Sequence, residues 1–170
     1  MNSQFANLFL AVQTQIAAVA SVKHVDQDLG QFEDERPPVT FPAVLIDVDN
    51  FIFSDAGENI QLANGQLILR IGFPPYSASS NVVPTQYKQS AINYYDIEYA
   101  IHAALQGWSP GDAFGKLDRV SARTEKRTDN LRVRIVTYSI AFEDYDNAIA
   151  HSFIPATMDL TTEFVDNFNS

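Results

Sequence analysis

Phe5, Leu8, Phe9, Val12, Ile16 and Val19 recur at helical intervals, the spacing that gathers apolar side chains on one face of a helix. Asn2 or Ser3 supplies a cap for the first turn, and Gln4, Asn7, Gln13, Thr14 and Gln15 face outward. This predicts an amphipathic helix docked on a sheet. A polar, acidic connector over 26–38 follows and ends in Pro37-Pro38, which stops a helix and favours extended entry into what comes next. Residues 39–48 read as a strand carrying Phe41, Val44, Leu45, Ile46 and Val48. Residues 50–53 read as further strand, and Asp55-Ala56-Gly57 as a turn. Asn64-Gly65 lies between two apolar-rich stretches. Asn-Gly accepts the positive φ that a type I′ turn needs at both central positions, so 59–73 is predicted to be a hairpin reversing there.

Pro74-Pro75 ends that segment, and 76–84 reads as a loop. A second helix is predicted over 86–106, with Tyr94, Ile97, Ile101, Ala104, Leu105 and Trp108 on one face. Gly107 suits the position just past its end, and Pro110 blocks continuation. Two long strands follow, over 116–128 and 131–143, reversing at Asp129-Asn130. The second alternates oddly: Leu131, Val133 and Ile135 oppose Arg132 and Arg134, but that polar face then turns apolar at Val136, Tyr138, Ile140 and Phe142. Such a switch implies that the far end of the strand is covered by something else, a neighbour being one candidate. Residues 146–170 keep Phe153, Ile154, Leu160, Phe164, Val165 and Phe168 without clean periodicity, as in an arm laid along a surface. The fold class is therefore α+β: a mainly antiparallel sheet of four to five strands flanked by two helices, in one domain over 1–145, with an extended C-terminal arm over 146–170.

The length of 170 residues suits one domain with its own core. With no cysteine, disulfides, thiolate nucleophiles and thiolate zinc sites are excluded. No apolar run approaches the roughly 18 residues of a membrane span, and the first residues carry no basic run, so no signal peptide and no membrane partner are expected. Of the histidines, His24, His102 and His151, none has a metal-type partner at helical spacing. Asp47 and Asp49 point the same way from a strand end and with Asp55 and Glu58 offer oxygen ligands to a hard cation, but the calcium-loop pattern is absent. There is no nucleophile elbow and no phosphate-cradling glycine loop. The expectation is a protein without catalytic residues, metal or cofactor; the rival is a small acidic enzyme using Asp47 and Asp49 with a divalent metal.

Charge changes the picture more. Seven of the eleven basic residues fall within 116–134, and none follows Arg134. The rest of the chain instead carries Glu143, Asp144, Asp146, Asp159, Glu163 and Asp166. A basic patch and an acidic tail on one subunit provide two unlike faces for head-to-tail contact. The candidate interface groups are Arg119, Arg123, Lys126, Arg127, Arg132 and Arg134, opposed by Glu143, Asp144 and Asp146. Nucleic-acid binding by the basic stretch is the competing reading. It is disfavoured by the net charge of −10 and by Phe114 being the one aromatic between Trp108 and Tyr138. A third reading is a charged edge hairpin that resists wrong pairing.

The element order, the helix end Leu105-Gln106-Gly107-Trp108, the strand with Leu117 and Arg119, the turn with Asp129 and the last strand from Arg132 to Phe142 together resemble the tail terminator (tail-completion) proteins of long-tailed bacteriophages. The resemblance covers roughly residues 3–145. It implies a non-enzymatic virion protein, made in the bacterial cytoplasm, that forms a homo-oligomeric ring, hexameric in that family. Its implied partners are the tail tube protein and the head–neck connector, with genome DNA passing through the lumen without specific binding. Another tail or neck component, tube or connector, is the neighbouring alternative. An acidic lumen suits that passage, since phosphates are repelled.

Overall fold

A computed structural model describes residues 3–74 and 80–145. Helix α1 spans Gln4–Ala17, capped by the Ser3 hydroxyl, which accepts from the Ala6 N–H at 3.1 Å. It buries Leu8, Val12 and Ile16, one residue per turn of a single face. Strand β1 (His24–Gln27) follows, then a single 3-10 turn at Gln31–Glu33. Strands β2 (Ala43–Gly57) and β3 (Ile60–Phe73) form a long antiparallel pair. Helices α2 (Thr85–Ile92) and α3 (Tyr94–Leu105) lead to β4 (Asp118–Glu125) and β5 (Arg132–Asp144). The five strands lie in the order β1-β2-β3-β5-β4. Only the β1–β2 pair is parallel. The architecture is the expected α+β sheet, mainly antiparallel and flanked by helices; the expected arm over 146–170 lies outside the described residues.

Four local expectations need correction. Asn64-Gly65 is not a reversal: β3 runs straight through it, with Asn64 opposite Ile52. The chain turns instead at Glu58-Asn59, where φ is 55° and 61°, the pair of positive values a type I′ turn requires. Gly65 serves close packing, since a Cβ there would lie 2.4 Å from the Phe51 ring. Secondly, the helix expected over 86–106 is two helices meeting at Asn93; Gly107 does follow the second, at φ 74°. Thirdly, β1 lies at the start of what reads as connector. Its four residues, His-Val-Asp-Gln, hold one apolar side chain, too few to show an alternation.

The fourth correction concerns the apolar end of β5. Val136, Tyr138 and Ile140 are covered by the chain's own helices, not by a neighbour: they share one buried cluster with Leu8, Val12 and Ile16 of α1 and Ile101 and Leu105 of α3. Val133 and Ile135, on the other face, pack with Phe32, Ala43 and Leu45. Phe41, from the segment leading into β2, packs against that second cluster. Further along the same face Asp47, Asp49 and Asn64 are exposed.

Candidate functional site

The basic stretch folds as the β4–β5 hairpin, and strand alternation divides its cations. Arg134 points to the helix face. Its Nε lies 2.5 Å from Glu98 Oε2, its Nη2 3.1 Å from Oε1 and its Nη1 2.7 Å from Thr124 Oγ1. Both partners of the ion pair are nearly enclosed, their side chains 12% and 8% exposed. Arg132, two residues earlier on that face, donates to the Ala91 carbonyl at 2.8 Å and stacks 4.3 Å from the Tyr94 ring centre. Burial, and then the hydroxyl of Tyr95, push the Tyr94 phenol up to about 12.

Arg127 sits where β4 gives way to the turn and reaches back to the 3-10 turn. It donates to the Phe32 carbonyl at 2.6 Å, Asp129 at 2.6 Å, Glu125 at 2.7 Å and Glu33 at 3.0 Å. Arg70 of β3 enters the same network through Glu33, Glu125 and Asp28, at 2.6, 3.0 and 3.4 Å. Arg127 and Arg70 hold the Glu33 carboxyl below its ordinary value, and Arg127 does the same to Asp129. Arg70 is absent from the sequence-derived set. Its signal was a lone charge within Leu67-Ile68-Leu69-Arg70-Ile71, because a charge inside a buried strand demands partners.

Arg119, Arg123 and Lys126 behave differently. All three are exposed, and none makes an ion pair with a described residue. At the other end of β5, Glu143 is exposed and accepts from the Tyr145 hydroxyl; Asp144, half-buried, pairs in register with Gln61. Arg132 and Asp144 bound one strand, so they stand about 40 Å apart at a rise of ~3.4 Å per residue. Asp146 lies outside the described residues.

No protein-family model matches this chain, and no curated protein does. Among solved structures it is similar to a chain of the "Virion of native gene transfer agent (GTA) particle", at 16% identity and a TM-score of 0.48, covering 81% of this chain and 95% of that one. A likeness of that degree assigns neither family nor function.

Among the described residues there is no group of three or more His, Cys, Asp or Glu side chains able to hold a metal ion. Asp47 and Asp49 do share an exposed face of β2. Partial burial raises the Asp47 carboxyl, and Asp49 and Asp28 push it the same way. His102 approaches the Tyr138 hydroxyl at 3.3 Å and is lowered by burial; His151 lies outside the described residues. A groove of about 450 Å³ runs between α1 and β2, lined by Phe5, Ala6, Phe9, Gln27, Ile46, Asp47 and Val48. It brings one carboxyl group against apolar walls, with no base or nucleophile beside it. No helix among the described residues is long and apolar enough to cross a membrane. What the surface offers is a basic strand edge and a separate acidic one.

Proposed function

We propose that this chain is a non-enzymatic structural subunit of a phage tail or neck. Copies of it close into a ring, of six on the resemblance to tail terminators, that caps the tail tube and meets the head–neck connector. The supporting observation is the exposed edge strand β4. In a chain of net charge −10, Arg119 and Arg123 of β4, with Lys126 just beyond it, are exposed and form no ion pair with a described residue. An unpaired strand edge bearing cations is a docking surface for a partner of opposite charge, and another copy of this acidic chain is such a partner. Glu143, Asp144 and Asp146, at the far end of β5 and just past it, extend the acidic side, and the arm 146–170 would lie along a neighbour or the tube. The remaining acidic surface would leave DNA free to slide through the lumen.

Native mass spectrometry and light scattering, on the protein alone and with tail tubes, test this reading. A single ring mass in at least one condition is the expected result. Monomer in both, at high concentration, overturns it; long cylinders of this chain alone would instead mark a tube protein.

A further inference from the structure

Among the described residues the sheet has two open edges, and they complement each other. β1 pairs with β2 only from Ala43 to Ile46. From Asp47 to Gly57, β2 has β3 on one side and no strand on the other among the described residues. Among the described residues β4 is bounded by β5 alone. Its start is capped where the Arg119 N–H donates to Gln106 Oε1 at 3.0 Å, and past that point its residues remain exposed as far as Thr124. Long open edges leave backbone donors and acceptors ready to pair with another chain.

We propose that copies of this chain join edge to edge, β4 of one pairing with the open half of β2 in the next, with Arg123 beside Asp49 and Arg119 beside Phe53, diagonal to Asp55. The inference rests on the reading that the chain assembles with itself; it adds which edges meet. Direction agrees. β2 is antiparallel to β3, β3 to β5 and β5 to β4, so β4 runs opposite to β2 within each copy. A ring that repeats one contact by rotation about an axis along the strands therefore presents β4 antiparallel to the next β2.

Charge agrees. The stretch 47–57 holds Asp47, Asp49 and Asp55 and no Lys or Arg. Asp49 and Asp55 are exposed and make no ion pair with a described residue. The faces match as well. Arg123 lies opposite Ile135, Ile135 opposite Arg70 and Arg70 opposite Leu45, the face that Asp49 shares. Arg119 lies opposite Tyr138, and Asp55 opposite Gln61 and thence Asp144, which puts both on the helix face. Because the strands oppose, a register that sets Arg123 opposite Asp49, clear of β1, sets Arg119 opposite Phe53 and diagonal to Asp55, within reach of a long side chain. Apolar groups accompany the charges: Val120 is 60% exposed on one edge, and Ile52 and Phe53 are 68% and 42% exposed on the other.

The test uses the full chain, by native mass spectrometry and light scattering, alone and with tail tubes, with circular dichroism to confirm folding. Arg123→Asp and Asp49→Arg should each reduce the assembled fraction at least tenfold, and the two together in one chain should restore most of it. Folded single variants that assemble like the parent overturn the edge proposal while leaving the ring standing; residues 146–170 of the same chain covering one edge would give that outcome. Loss in both single variants with no recovery in the folded double variant also overturns it. A parent protein that is monomeric in both conditions overturns both readings together.

Discussion

The two stretches of the arginine-rich hairpin use the same residue type for opposite ends. Around the turn, Arg127, Arg132 and Arg134 are turned inward and tie the hairpin to the 3-10 turn, to α2 and to α3. Along β4, Arg119 and Arg123 are exposed, and their side chains form no ion pair with a described residue. A run of cations in sequence is thus not a patch in space. Strand alternation sends successive residues to opposite faces, and the elements lying over each face decide which charges are satisfied. The inward set fixes the fold; the outward set, on the assembly proposed above, is left for a partner.

Substitution should separate the two sets. Glu98→Ala leaves Arg134 nearly enclosed and unpaired, which costs about 3–5 kcal/mol in such pairs, read as a lower urea midpoint. Replacing Glu98 and Arg134 together by leucine should recover most of that loss, because an apolar pair needs no counter-charge. Arg127→Ala removes charged hydrogen bonds to partly exposed carboxylates and should cost about 2 kcal/mol. Acid sharpens the point. Glu33 and Asp129 have lowered values in the folded chain, so their contribution is complete above the ordinary carboxylate range and declines as pH falls through their folded values. Between about pH 5 and about pH 2 the parent should therefore lose more stability than Arg127→Ala does, in paired urea titrations. Smallest of all, Arg123→Ala should move stability by no more than ~0.5 kcal/mol while weakening assembly.

Much of the fold was legible because its signals are periodic. The α1 stripe, the β4–β5 reversal at Asn130 and the helix end at Gly107 all follow from spacing and from residues that tolerate positive φ. Asn64-Gly65 misled because the glycine answers a different need, the Phe51 ring across the strand. That demand is long-range, so a local turn rule cannot see it. β1 was hidden because a four-residue edge strand with one valine leaves no alternation to detect. The candidate surface was legible in part. The sequence locates the cations, but only the packing of Glu98, Ala91 and Phe32 against them shows that Arg134, Arg132 and Arg127 are occupied. The open half of β2 could not be read at all, since it depends on where β1 stops.

The most direct measurement mixes two chains that should each fail alone. Arg123→Asp sets a carboxylate against Asp49 between its own copies, and Asp49→Arg sets a guanidinium against Arg123, so neither should close on itself. Mixed in equal amounts with tail tubes, each should supply the edge the other lacks. Native mass spectrometry should then find one ring mass containing both chains in equal number. Two species that remain separate in the mixture, while the parent forms rings under the same conditions, would contradict the account.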